Sequence, residues 1–196
     1  RSPSRGLGDV YKRQLVSSII RKKVLKGLGL DQVRYNFTGA AAISKDLLLW
    51  FNTLGITIHD VYGMTENFAI TTLNPPGEAR FGTAGKTFGE NEVKIAENGE
   101  ILSRSRANMK SYYKLSEETA NTIDSEGFLH SGDKGKFSKD GYLSITGRVK
   151  DLFKTSKGKY VAPNSIESHF VMCNLIEQVC VVGDGMPQPL ALVVLT

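Results

Sequence analysis

Tyr62, Thr65 and Glu66 crowd around Gly63 in "VYGMTENFAITTLNPPG" (61–77), just where an apolar run ends. A turn chosen for its backbone favours Asn, Asp, Gly or Pro. A phenol, a hydroxyl and a carboxylate about one glycine act through their side chains instead, as a polar binding wall would. The plainer reading is a strand running into a helix N-terminus, with Thr65 as the cap and Glu66 complementing the helix dipole.

The surrounding elements decide whether those side chains could serve a ligand. "SKDLLLWFNTLG" (44–55) predicts a helix capped by Ser44, with Leu47, Leu48, Phe51 and Leu54 on one face and Gly55 as its stop. "ITIHDVYG" (56–63) then alternates as a strand, with Ile56, Ile58 and Val61 on its more apolar side. Helix followed by strand is a piece of an α/β layer, and ligands of open α/β sheets gather at the carboxyl ends of strands. Further on, "EVKIAENGEILSRS" turns about Asn98-Gly99 and "KFSKDGYLSITGR" about Asp140-Gly141, both hairpin signals. "SEETANTI" (116–123) between them predicts a short helix capped by Ser116, so the middle of the chain forms a small β-subdomain. Pro163 and Asn164 open a helix through "SIESHFVMC", with Ile166, Phe170 and Cys173 on one face, before two apolar strands, "EQVCVVG" and "PLALVVLT".

Composition bounds the function. The apolar share is 40% and the net charge +5, of which the first 14 residues supply +3 through Arg1, Arg5, Lys12 and Arg13 against Asp9. The rest carries no basic stripe interleaved with aromatics, so no nucleic-acid partner is expected. "IIRKKVLKGLGL" (19–30) reads as an amphipathic helix with a solvated basic side, peripheral contact with an anionic membrane surface being the functional alternative. Cys173 and Cys180 lie in apolar surroundings and fit buried free thiols of a reducing compartment; with no secretory h-region in residues 1–14, a cytoplasmic location is expected and the Asn36-Phe37-Thr38 sequon carries little weight. His59, His130 and His169 show no metal-ligand spacing and read as surface or satisfied histidines.

Five motifs stand in order: "FTGAAAIS" (37–44), "VYGMTE" (61–66), "NGEIL" (98–102), "LHSGDKG" (129–135) and "TGRVKDLFKTSKGKYVAPNSIE" (146–167). In this order they resemble the adenylate-forming acyl-CoA synthetases, and "SKGKYVAP" resembles the long-chain fatty acyl members, bubblegum-type enzymes included. The resemblance covers roughly residues 15–196.

It implies an ATP-dependent fatty acid–CoA ligase with Mg²⁺ as cofactor and fatty acid, ATP and CoA as substrates, and no obligate protein partner. Glu66 is then the metal residue, Thr65 the α-phosphate donor, and Tyr62 a flat face for adenine, with Gly63 letting backbone come close. Gly39, Ala40 and Ala41 keep bulk away from the nucleotide, tight helix–strand packing being the plainer account of Ala41. Asp133, with two acceptor-only oxygens, suits two vicinal ribose hydroxyls, and Arg148 donates to the same sugar; alone, each would pass for a surface pair or turn residue. Lys150 matches the inter-domain hinge. Lys157, Gly158 and Lys159 line the path of CoA. A phosphate-loop reading of that "GK" fails, because its pattern needs glycine where Phe153 stands.

The implied architecture is the C-terminal part of a large adenylate-forming domain over 15–148, a hinge at 149–151, and the start of a small α+β domain over 152–196. Residues 1–14 read as foreign or mis-translated and are set aside. The family's Ser/Thr/Gly-rich phosphate loop is expected upstream of residue 15 and its late lysine beyond Thr196, so the stretch alone is expected to be inactive. Ala42, Ser131 and Ser111 depart from the family's usual Pro, Thr and Gly without removing an assigned side chain. Two rivals remain: an adenylating enzyme that loads a carrier protein, and a non-catalytic adenylate-binding module.

Overall fold

A computed structural model describes residues 18–149, 151–170 and 173–196. Helix α1, over 18–27, is anchored through Arg21, whose guanidinium donates to the Gly55 carbonyl at 3.1 Å, where it also complements the carboxyl end of the next helix. Its apolar side is partly uncovered, Ile19 and Ile20 being exposed while Val24 and Leu25 are half-buried. Helix α2 (Lys45–Thr53) begins as expected, the Ser44 hydroxyl accepting from Leu47 N–H, and Leu48 is its one fully buried residue.

Strand β1 (Asn36–Thr38) pairs in parallel with β2 (Ile58–Tyr62), as an α/β layer requires. The layer is mixed rather than purely parallel, because β3 (Thr72–Leu73) and β4 (Lys86–Thr87) add antiparallel at β2's other edge. The inward position of β2 is His59, not Ile58: its ring is 4% exposed and Nδ1 lies 3.0 Å from the Asn74 carbonyl. That carbonyl satisfies the imidazole, which alternation alone could not reveal.

The β-subdomain is a four-stranded antiparallel meander: β5 (Glu92–Ile95), β6 (Glu100–Arg104), β7 (Leu129–Phe137) and β8 (Leu143–Arg148). Both expected hairpins are present, with Ile95 opposite Ile101 and Phe137 opposite Leu143. Ala84, Ile101 and Leu143 form a core on which Tyr62, Val93, Ile95 and Phe137 pack. Two backbone bonds stitch the sheets at this core, Ala84 N–H to the Leu143 carbonyl (2.8 Å) and Leu143 N–H to the Gly85 carbonyl (2.7 Å). Helix α3 (Ser116–Thr122) starts one residue earlier than expected: Leu115, not Ser116, is the N-cap, and Ser116 is the first residue of the first turn.

After β8 come the hairpin β9 (Phe153–Lys154) and β10 (Tyr160–Val161), helix α4 (Pro163–Glu167), and the antiparallel pair β11 (Ile176–Val182) and β12 (Leu190–Leu195). Helix α4 has Pro163 in its first turn but closes at Glu167, short of the expected Phe170 and Cys173, and the thiols expected to be buried are not: Cys173 is half-buried and Cys180 exposed. The Glu167 carboxylate accepts from Val181 N–H at 2.7 Å, tying the helix end to β11. Among the described residues no helix is long and apolar enough to cross a membrane.

Candidate functional site

Gly63 is where the site starts. A Cβ there would lie 2.2 Å from the Ala69 carbonyl oxygen and 2.7 Å from the Ile70 nitrogen. The close approach that this glycine permits is therefore the chain's own. Residues 64–71 double back over it, through a single 3₁₀ turn at Thr65–Asn67 and left-handed Phe68 (φ 61°) and Ala69 (φ 73°). Asn67, 2% exposed, holds the loop from inside: its Oδ1 accepts from Met64 N–H, and its amide donates to the Thr71 and Ser103 hydroxyls. Thr65 is thereby left exposed and Glu66 half-buried at the carboxyl end of β2. Thr65 caps nothing, since the turn's N-cap is Met64.

Gly39, Ala40 and Ala41 follow the carboxyl end of β1, beside that of β2. All three are exposed, and a Cβ on Gly39 would sit 2.8 Å from the Val61 carbonyl oxygen. Ala40 adopts φ 67°, a left-handed conformation costing a non-glycine residue roughly 1–2 kcal/mol. Such strain persists where surrounding structure over-determines it and collects at ligand clamps.

Asp133 and Arg148 stand directly opposite each other on β7 and β8, and Arg148 Nε lies 3.2 Å from Asp133 Oδ1. The other carboxylate oxygen accepts from the Tyr62 hydroxyl at 2.9 Å, joining β2 to the meander across 71 residues of sequence. Burial above all, with Asp133 adding and Ser131 and Arg148 opposing, pushes the Tyr62 phenol above its ordinary range, so it remains a donor at neutral pH. Tyr62, Asp133 and Arg148, far apart in sequence, thus form one bracket.

Glu66 has a partner that sequence reasoning missed. Tyr112 donates its hydroxyl to Glu66 Oε1 at 2.7 Å, and Met109 N–H donates to the Glu66 carbonyl at 2.6 Å. The acceptor, with burial and charge adding, raises the Tyr112 phenol's pKa. Glu66 Oε2 is unengaged among the described residues, as a hard cation's ligand must be. No cluster of three His, Cys, Asp or Glu side chains able to hold a metal occurs among the described residues. A magnesium ion at Glu66 would therefore draw its other oxygens from phosphate and water, the usual manner of Mg²⁺.

Asp60, one residue beyond His59 on β2, was also missed; desolvation, against a backbone hydrogen bond from Val61, pushes its carboxyl up to about 6. Lys157, Gly158 and Lys159 occupy the exposed β9–β10 turn, where Gly158 (φ 78°) closes the turn through its N–H to the Thr155 carbonyl. That turn accounts for the glycine, and no hydrogen bond or ion pair among the described residues links the three to the bracket. Lys150 lies outside the described residues. His130 and His169 are at or near the surface, and His130 Nδ1 is 3.1 Å from Glu100 Oε2.

The family model of AMP-binding enzymes matches residues 11–113, more than half of the chain and inclusive of both β1 and the Gly63 loop. The chain belongs to the AMP-binding enzyme family. Among curated relatives of this AMP-binding chain, the putative fatty-acid–CoA ligase fadD11 of Mycobacterium tuberculosis is 37% identical over 194 residues, covering 95% of this chain and 34% of the relative. The long-chain-fatty-acid–CoA ligase ACSBG2 of Xenopus laevis is 36% identical over 180 residues, 89% of this chain and 24% of the relative. The chain thus spans about a third or less of these relatives' length. Among solved structures, the anthranilate CoA ligase AuaEII in complex with anthranoyl-AMP superposes with a TM-score of 0.74 at 29% identity, over 85% of this chain and 35% of that one. The O-succinylbenzoate CoA synthetase MenE of Bacillus subtilis, in complex with ATP and magnesium ion, gives 0.73 at 26% identity, over 83% and 36%. The α/β layer with its antiparallel meander is that of adenylate-forming enzymes.

Proposed function

We propose that this chain is part of an ATP-dependent long-chain fatty acid–CoA ligase. The observation that carries the reading is the Tyr62–Asp133–Arg148 bracket beside the Thr65–Glu66 turn, all at one end of β1 and β2. In the first step a fatty carboxylate oxygen attacks the α-phosphorus of ATP, the bond to pyrophosphate breaks, and acyl-adenylate forms. In the second the CoA thiolate attacks the acyl carbon and AMP leaves.

This chain's residues serve chiefly to position those groups. Asp133 accepts from the ribose hydroxyls and Arg148 donates to the same sugar, while the ring of Tyr62 faces adenine and its hydroxyl fixes Asp133. Gly39, Ala40 and Ala41 form the smooth wall opposite. Thr65 donates to the α-phosphate. Glu66, steadied by Tyr112, is the residue to hold Mg²⁺, which when bound neutralises developing phosphate charge. The hinge is placed at 149–151 with Lys150, and the β9–β10 turn, with Lys157, Gly158 and Lys159, along the path of CoA. The fatty-acid–CoA ligases at 36–37% identity favour a long acyl chain over an aromatic acid.

Pyrophosphate exchange into ATP by the full-length protein, with palmitate, benzoate and a carrier-protein domain compared, tests the reading. Palmitate-dependent exchange followed by palmitoyl-CoA release is expected. Exchange driven by aromatic acids alone would overturn the long-chain assignment, and AMP binding without exchange would favour the binding module.

A further inference from the structure

Glu100 sits at the start of β6, directly after the Asn98-Gly99 turn, where a charged residue would ordinarily face water. It is instead 9% exposed and spends both carboxylate oxygens on the segment that carries Asp133. Oε1 accepts from Gly132 N–H at 2.8 Å, and Oε2 lies 3.1 Å from His130 Nδ1. His130 is itself backed by Asp124, whose Oδ2 is 3.9 Å from Nε2.

These contacts fall on an irregular stretch of β7. Glu100 pairs with Lys134 while Leu102 pairs with His130, so Ser131, Gly132 and Asp133 face a single β6 residue, Ile101, and the regular ladder cannot hold them. Gly132 takes φ 71°, as an extra residue in such a stretch requires. Side chains supply what the ladder does not. Ser131 Oγ donates to the Ile101 carbonyl at 2.7 Å and accepts from Asp133 N–H at 3.1 Å. Gly132 is held at both ends, its N–H by Glu100 and its carbonyl by Val149 N–H at 2.7 Å. The two peptides that flank Gly132 are thereby fixed, the one before it to Glu100 of β6 and the one before Asp133 to the residue following Arg148.

We infer that Glu100 is a positioning residue for the nucleotide site: by holding the Gly132 peptide, it sets where the Asp133 carboxylate meets a ribose. This rests on the proposed nucleotide reading of the bracket. A buried carboxylate two residues from a hairpin tip has no need of two acceptor contacts for solubility, and a neutral residue would close the same turn. What it adds is an anchor on the β6 side of the bulge, where the other ties of Gly132 and Asp133 run to β8 and Tyr62.

The test measures KM for ATP and for 2′,3′-dideoxy-ATP in fatty-acid-dependent pyrophosphate exchange, with full-length wild type, Glu100→Ala, Glu100→Gln, Asp133→Ala and the Glu100→Ala/Asp133→Ala double variant. Glu100→Ala should raise the KM for ATP about tenfold, the scale of lost hydrogen bonds to a charged group, with kcat changed less than about twofold. Glu100→Gln, which still accepts from Gly132, should recover most of that loss. With dideoxy-ATP the wild type and Glu100→Ala should converge, and the double variant should be no worse than Asp133→Ala. An equal penalty on both nucleotides, or a penalty that adds to that of Asp133→Ala, overturns the inference and leaves Glu100 a merely structural residue. Should Glu100→Ala fail to fold, His130→Ala carries the test, with a smaller rise confined to ATP expected and a rise on both nucleotides contrary. A wild type indifferent to the ribose hydroxyls would sink the nucleotide reading itself, and this inference with it.

Discussion

Removing one oxygen, Tyr62→Phe, separates the two tasks assigned to Tyr62. The ring and its packing on the core of Ala84, Ile101 and Leu143 survive, while the 2.9 Å hydrogen bond to Asp133 is lost. A hydrogen bond to a charged acceptor contributes roughly 1.5–3 kcal/mol. Asp133 is 22% exposed and keeps Arg148, so water and the guanidinium recover part of this, leaving about 1–2 kcal/mol. For a chain of this size each kcal/mol moves Tm by about 2–4 °C, so a fall of about 2–8 °C is expected by calorimetry. The AMP Kd of the full-length protein, by titration calorimetry, should rise about five- to tenfold, because Asp133 keeps one tether of two and each 1.4 kcal/mol is tenfold. The direction of the phenol's pKa excludes one escape, since a group that stays protonated at neutral pH donates throughout the assay range. Unchanged Tm together with an AMP affinity within a factor of two would refute the claim that this bond holds the bracket.

Three further perturbations probe β2, the loop that follows it and the partner of Glu66. Asp60 is held near pKa 6 against an ordinary 3.8, so the folded chain binds its proton more tightly than the unfolded chain and stability falls as pH rises from about 4 to 6. Asp60→Asn should therefore stabilise at pH 7, by at most about 3 kcal/mol, and lose that advantage by pH 4; a pH-independent difference in urea midpoints would contradict the desolvation argument. Gly63→Ala places a methyl group 2.2 Å from the Ala69 carbonyl, so the loop carrying Thr65 and Glu66 must shift. It should lower urea stability by about 2 kcal/mol or more and abolish exchange, and a variant with native stability and activity would show that the loop is softer than its packing implies. Tyr112→Phe should raise the Mg²⁺ concentration for half-maximal exchange on the order of tenfold, as loss of a metal ligand's outer partner commonly does, and an unmoved Mg²⁺ curve would tell against Glu66 as the ligand.

Much of the local structure was legible residue by residue. Ser44 caps α2, Asn98-Gly99 and Asp140-Gly141 turn their hairpins, and Pro163 opens α4, because caps and tight turns are settled by backbone geometry within a few residues. The misreadings share the opposite cause. His59 is the inward residue of β2 because a carbonyl 15 positions away satisfies it, and α4 ends at Glu167, whose side chain is engaged by Val181 of β11. β3 and β4, two residues each, are strands only because β2 offers an edge to β3 and β3 offers one to β4. At Gly63, read as letting backbone come close, the backbone that approaches is the chain's own at Ala69 and Ile70, which only the folded loop could show.

The residue types of the site, and the family they resemble, stand in the sequence alone: Tyr62, Thr65 and Glu66 about one glycine, and Asp133 and Arg148 in their own short motifs. Tertiary structure alone decided which of them meet. The Tyr62–Asp133 bond, the Tyr112–Glu66 bond and the hold of Glu100 on Gly132 span 71, 46 and 32 residues. Contacts that long arise from the closure of two sheets on a shared core, and no periodicity or turn signal encodes which side chain will arrive opposite which.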